Sequence, residues 1–195
     1  DAAAAGYFYS GRDDLADPLE LPEMDAAVDR IQKAIKSNET IGVFGDFDVD
    51  GLTGSAIVSD GVEAFGVEAI PYLPHRSDEG HGLSKDAIDR LVSQGASLIV
   101  TVDCGVTSPD EVAYAKQLGA DVIITDHHIP QSELPDAAAI IDPMLPGGTY
   151  PFRGLCGAVL AFKLIQGLYQ YCGQPWDRSL LELAALGTIA DLVPM

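Results

Sequence analysis

The sequence is short of positive charge. Its 195 residues carry 11 Lys and Arg against 30 Asp and Glu, a formal net charge of −19. Such a surface repels a polyanion at long range, which argues against a nucleic-acid binder working through a basic patch. It leaves open an enzyme that reaches phosphates through bound cations. Cysteine is sparse too. Cys104, Cys156 and Cys172 are too few and too scattered for a disulfide framework or a zinc knuckle, which fits a reducing, cytoplasmic setting. No apolar run approaches the ~18 residues of a transmembrane helix. The start, Asp1 to Gly6, has neither a basic n-region nor an apolar h-region, which speaks against a signal peptide. It also lacks an initiator Met and reads as the start of an excised piece.

What is present is an ordinary globular balance, 47% hydrophobic and 21% charged, in a chain long enough to bury a core without staples. Residues 1–40 read as a lead-in with one amphipathic helix, Met24 to Lys36, and 41–195 as the core. From residue 41 the pattern alternates β and α. Strands are expected at Ile41–Gly45, Val67–Leu73, Leu98–Val102, Val122–Thr125 and Ala137–Ile141. Helices are expected at Leu52–Phe65, Ser84–Ser93 and Pro109–Leu118, with two late ones at Cys156–Tyr171 and Asp177–Asp191. The strands are continuous apolar runs, as in a parallel sheet covered on both faces. The fold class is α/β: a doubly wound, mostly parallel five-stranded sheet with helices on both faces.

Charged groups collect where these strands end. The first runs into Gly45-Asp46-Phe47-Asp48-Val49-Asp50-Gly51. Three carboxylates at alternate positions repel one another unless a cation sits among them. A calcium EF-hand loop would need a bidentate Glu where Ile57 stands, and a helix rather than a strand before it. The third strand delivers Asp103, ahead of a helix start at Ser108 with Pro109 and Glu111. The fourth delivers Asp126-His127-His128. The stretches Gly95–Asp103 and Gly119–His127 repeat one another, which puts Asp103 and His127 at one height if the strands start level. Parallel α/β sheets place ligand sites at that edge. Mixed carboxylate and imidazole ligands suit Mn²⁺ or Mg²⁺ better than structural zinc, and such a cluster can hold two ions. Cys104 reads as a small buried residue beside the site. No nucleophile elbow and no P-loop competes.

These stretches resemble the motifs of the DHH phosphoesterases. Pro74–Leu83, Gly154–Leu164, Gly187–Met195 and the lead-in Asp17–Met24 resemble the RecJ-like single-strand exonucleases, a branch of that family. The resemblance implies two-metal-ion phosphodiester hydrolysis by a 5′-to-3′ exonuclease core acting on single-stranded DNA in repair and recombination. It implies metal ligands Asp46, Asp48, Asp50, Asp103, His127 and Asp191, with Asp103 bridging the ions and Asp103, His127 and His128 catalytic. Arg76, His81 and His128 would contact substrate. Where other branches carry a His, this chain has Phe44, so Asp46 would substitute. A second, substrate-binding domain and an oligonucleotide-binding fold would follow Met195 and supply most DNA contacts. The alternatives are a DHH phosphodiesterase on short oligonucleotides or cyclic dinucleotides, and a non-catalytic module derived from a nuclease. Clustered Asp and His residues have no use in the latter.

Overall fold

A computed structural model describes residues 15–75 and 80–193. A short 3₁₀ turn, Pro18–Glu20, leads into α1 (Met24–Ser37). Then come β1 (Thr40–Gly45), α2 (Val49–Glu63), β2 (Ala69–Tyr72), α3 (Lys85–Ser93), β3 (Ala96–Val102), α4 (Pro109–Gln117), β4 (Asp121–Thr125) and β5 (Ala139–Ile141). The late helices are α5 (Gly157–Tyr171) and α6 (Ser179–Ala190). All four strand pairings are parallel, in the order β2-β1-β3-β4-β5. The expected sheet is therefore present, and wholly parallel.

Alternation along each strand sorts the side chains into two layers. Ile41, Val43, Leu98, Val100, Val102, Ile123 and Ile141 pack with α1, α2 and α5. Phe44, Ile99, Val122, Ile124 and Ile140 face the other way, onto Ile88 and Leu91 of α3 and Val112 and Ala115 of α4. Burial on both faces explains why the strands read as unbroken apolar runs. Arg30 of α1 ties the first layer to the sheet. Its guanidinium donates to Glu39 at 2.7 Å and to Asp121 at 2.5 Å.

Two details depart from the sequence expectation. Helix α2 begins at Val49, not Leu52, because Asp48 caps it: its Oδ1 accepts the Gly51 amide at 3.0 Å. The third carboxylate, Asp50, thus sits in a helical turn rather than in the loop. Further along, Val102 pairs with Thr125, so Asp103 is level with Asp126, and His127 lies one residue beyond. Strand β3 extends back to Ala96, so the two repeats do not start level.

The strand order reverses between β1 and β3: from β1 the chain steps out to β2, then crosses back to β3. Open α/β sheets bind ligands in the crevice at such a switch point, beyond the carboxyl ends of the strands. Asp46 and Asp103 stand there.

Arg30→Ala should lower stability by about 1–2 kcal/mol, because it leaves Glu39 partly buried without its partner while Asp121 is half exposed. Urea unfolding followed by circular dichroism measures this.

Candidate metal centre

Each acidic motif begins where a strand stops, held by one further ladder bond. The Asp46 amide donates to Val102 O, the Asp103 amide to Thr125 O, and the Asp126 amide to Ile141 O. Three carboxylates from three strands therefore leave the sheet at one edge. Asp103 does so with φ at 60°, in the left-handed region. That conformation is uncommon for a non-glycine residue, and it persists only where the surroundings enforce it. Gly157, at the start of α5, is part of that enforcement. A Cβ there would lie 2.5 Å from the Asp103 Cβ and 2.9 Å from its Cα.

Asp50 reaches across from α2 to clamp the same helix. Its Oδ2 accepts the Gly157 amide at 2.6 Å and its Oδ1 the Ala158 amide at 2.9 Å. These are amides of the first turn of α5, where a helix lacks internal acceptors and favours negative charge. Gly187 of α6 admits this contact: a Cβ on it would lie 2.6 Å from Asp50 Oδ1. Asp191 caps the C-terminal end of α6 and comes back to the cluster, as the resemblance implied.

His127 stands at the centre. Its Nε2 is 3.0 Å from Asp103 Oδ1, 3.8 Å from Asp191 Oδ2 and 3.9 Å from Asp50 Oδ2. Potential ligand atoms fall into three overlapping groups, each within 4.8 Å: Asp46, Asp48 and Asp103; Asp50, His127 and Asp191; Asp103, His127 and His128. The residues named from sequence as metal ligands are thus brought together. His81 is brought close as well, its Nδ1 3.5 Å from Asp46 Oδ2. Arg76 lies outside the described residues.

The electrostatics fit a bound cation. Burial pushes the Asp103 carboxyl up to about 7, and the charges of Asp50 and Asp48 add to this against the hydrogen bond from His127. Burial also raises Asp191, with Asp50 and Asp48 adding to it. Asp46 Oδ1 is buried and has no hydrogen-bond partner among the described residues. Crowded, desolvated carboxylates with an orphan oxygen are the donor set of a hard divalent ion. For His127, burial lowers the pKa, but the bond to Asp103 and its charge more than offset this and raise it. Cys104 is buried beside Asp103, and burial raises its thiol, which removes it as a nucleophile.

Sequence reasoning gave Asp126 no role of its own. It is almost wholly buried and accepts four hydrogen bonds. Its Oδ1 takes the amides of His127 and His128 and the Nδ1 of His128, the last at 2.7 Å, while Oδ2 takes the Val106 amide at 2.9 Å. It is the organiser of the loop. The signal was there, as an Asp immediately before two His, but its partner at residue 106 was not legible. The hydrogen bond and charge of Asp126 hold His128 up at about 9, against burial. Asp126 in turn lies below the usual carboxylate range: burial raises it, but His128 and the amides outweigh that. Asp142, at the end of β5, was missed too. It is fully buried, Oδ1 accepts the Met144 amide, and burial pushes the carboxyl up to about 7.

Asp126→Asn should drop the His128 pKa from about 9 toward the ordinary ~6.5, read by NMR titration of the imidazole. The pair also makes stability depend on pH. Because His128 is raised in the folded state, its contribution is complete below ~6.5 and is lost as pH rises through about 9. The melting-temperature gap between wild type and Asp126→Asn should therefore narrow as pH is raised from 6 to 10.

Comparison with known proteins places this geometry. Residues 40–188 match the DHH family, N-terminal domain. The whole chain is 45% identical to the single-stranded-DNA-specific exonuclease RecJ of Bacillus subtilis, over 195 residues that make up 24% of that protein. The chain thus spans about a quarter of this relative's length. Among solved structures, a crystal structure of exonuclease RecJ bound to manganese superposes with a TM-score of 0.83 at 34% identity, covering 92% of this chain and 46% of that one. The Thermus thermophilus RecJ in complex with Mg²⁺ gives a TM-score of 0.62 at 29% identity, covering 89% of this chain and 21% of that one. With three quarters of its length matching the family's N-terminal domain, and the acidic switch-point cluster at the heart of that match, this chain belongs to the DHH family.

Proposed function

We propose that this chain is the catalytic core of a single-stranded-DNA exonuclease that hydrolyses phosphodiesters with two divalent cations, Mn²⁺ or Mg²⁺, and works from the 5′ end. The observation that carries the reading is Asp103. It is a buried, conformationally strained carboxylate at the sheet's switch point, shared by two of the three ligand groups. The identity to RecJ exonucleases across the whole chain supports the substrate class. Three free cysteines fit a reducing compartment such as the cytoplasm.

Asp46, Asp48 and Asp103 would hold one ion, and Asp50, Asp103, His127 and Asp191 the other. Bound there, such ions polarise a phosphoryl oxygen, supply hydroxide at neutral pH and stabilise the leaving oxygen. The protein's own groups do the positioning. Asp103 is fixed by its backbone bond to β4 and by Gly157 against its Cβ. Asp50 is fixed by the first turn of α5, so its carboxylate cannot rotate away. His128, held protonated at neutral pH with Nδ1 committed to Asp126, keeps Nε2–H for a phosphate oxygen. It lines a cavity of about 530 Å³ together with Asp46, His81, Asp103 and Ser108, room for one nucleotide. Arg76 remains a candidate phosphate partner through its guanidinium. The lobe's net charge of −19 gives it little long-range attraction for a strand. We assign most of the grip to regions of the RecJ relatives that this chain does not span.

End-labelled single strands incubated with the chain and Mn²⁺ test the reading. Slow shortening from the 5′ end, as expected of a chain with little grip of its own, supports it, cleavage confined to di- and trinucleotides favours a short-oligonucleotide phosphodiesterase, and no hydrolysis even with the chain in large excess over the strand overturns both. Asp103→Ala should lose at least 100-fold in kcat, while Arg76→Ala should chiefly raise KM, in steady-state assays.

Mn²⁺ at about 100 times its Kd should raise the melting temperature by roughly 5–10 °C, a shift that Asp103→Ala abolishes in differential scanning calorimetry. Binding must expel the proton that Asp103 carries below about 7. Mn²⁺ affinity measured by calorimetric titration should therefore weaken by up to about tenfold for each pH unit below 7.

A further inference from the structure

Strand β3 is apolar along its length except near its end, where Thr101 stands two residues before Asp103. Thr101 is fully buried. Alternation places its side chain with Ile99, in the layer under α3 and α4. A hydroxyl in that setting needs a partner, and the one it takes lies across Asp103: Thr101 Oγ1 donates to Cys104 O at 2.7 Å. Thr125 of β4, also fully buried, donates from Oγ1 to Thr101 O at 2.7 Å and so holds the same residue from its backbone. Gly105 shows how closely the chain wraps the Thr101 hydroxyl. Its φ is 114°, and a Cβ on it would lie 2.7 Å from Thr101 Oγ1.

These bonds bear on where Asp103 points. Continued alternation would send its side chain the way of Ile99 and Thr101. Its Cβ instead meets Gly157 on α5, a helix of the opposite layer. The left-handed turn at Asp103 makes that redirection, and the carboxylate then reaches His127. Such a backbone persists only where its surroundings fix it on both sides. Before the turn, the Asp103 amide donates to Thr125 O. After it, the Thr101 hydroxyl holds Cys104 O. Without the second bond, the dihedrals of Asp103 can relax toward ordinary values.

We infer that Thr101 is a positioning residue of the metal centre: its hydroxyl, through Cys104 O, holds Asp103 in the conformation that turns the carboxylate toward the ions. The inference rests on the metal reading and adds to it a group that touches neither ion nor substrate. Partners that orient a ligand without touching the metal commonly set affinity by 10- to 100-fold. A hydroxyl that served packing alone would change stability and leave metal affinity where it is, so the two roles separate in measurement.

The test is the Mn²⁺ dissociation constant of the whole chain, read by electron paramagnetic resonance of the free ion at one fixed pH, on variants first shown to be folded by circular dichroism. Thr101→Val keeps the branched shape, removes the donor and should bind Mn²⁺ at least about tenfold more weakly. Thr101→Ser keeps the donor and should stay within about threefold of wild type. Thr101→Ala against Thr101→Ser repeats the comparison with the methyl removed from both, and serves where valine is not accommodated. Arg30→Ala, which loses stability at the opposite edge of the sheet, is the control and should leave Mn²⁺ affinity unchanged. Equal affinity in the hydroxyl-bearing and hydroxyl-free variants overturns the positioning role and leaves the metal reading standing. A shift in Arg30→Ala as large as in Thr101→Val traces the effect to lost stability and overturns it too. So does failure of both hydroxyl-free variants to fold, since the hydroxyl then serves the fold and not the ion. Wild type that binds no Mn²⁺ at millimolar concentration overturns the metal reading, and the positioning role with it.

Discussion

The mutual repulsion of buried carboxylates at one sheet edge is the constraint around which the rest of the molecule is arranged. Asp46, Asp50, Asp103 and Asp126 are each nine-tenths or more buried, and Asp48 lies within reach of Asp46 and Asp103, Asp191 within reach of Asp50. Groups of one sign do not gather in a low-dielectric crevice unless something compensates them. Part of the compensation is internal. Asp126 is satisfied by three amides and an imidazole, and Asp50 by the open end of α5. The remainder, Asp103, Asp46 and Asp191, has the imidazoles of His81, His127 and His128 nearby, and Asp103 still stays pushed up to about 7. The deficit that is left is what a bound cation would fill.

That arrangement explains features with no obvious bearing on chemistry. Helix α5 must approach within van der Waals distance of Asp103, so its first residue is Gly157. Helix α6 must pass over Asp50, so it carries Gly187. The two helices also bury the apolar layer of the sheet, with Leu160, Leu164 and Leu180 in the same core as Val100 and Val102. Packing and site are therefore one structure: the helices that close the core also deliver the amides and Asp191 to the crevice. The strained backbone of Asp103 is tolerated because ladder, helix and imidazole all hold it.

His127 and His128 are neighbours in sequence with different tasks, separated by what each ring touches. His127 turns Nε2 into the acidic cluster and is placed to be a ligand. His128 turns Nδ1 to Asp126 and is kept cationic toward the open cavity. One buried aspartate thus sets the orientation of both residues through its amide bonds and the charge of one through its ring bond. The same crevice is lined by His81, whose ring lies against Phe47 of the β1–α2 loop.

Much of this was legible in the chain itself. Unbroken apolar runs such as Ile41–Phe44 and Val122–Ile124 require burial on both faces, hence a parallel sheet between helices, and the strand ends dictate where Asp46, Asp103 and His127 emerge. Local patterns were enough because strand periodicity and the carboxyl edge are properties of consecutive residues. Tertiary structure decided the rest. The pairing of Val102 with Thr125 set Asp103 level with Asp126 and not with His127, since register depends on where each strand begins against its neighbour. The capture of the α5 amides by Asp50 spans 107 residues, and the Val106 bond to Asp126 spans 20. Such partners are chosen by the packing of elements against one another, and one-dimensional spacing carries no record of that choice.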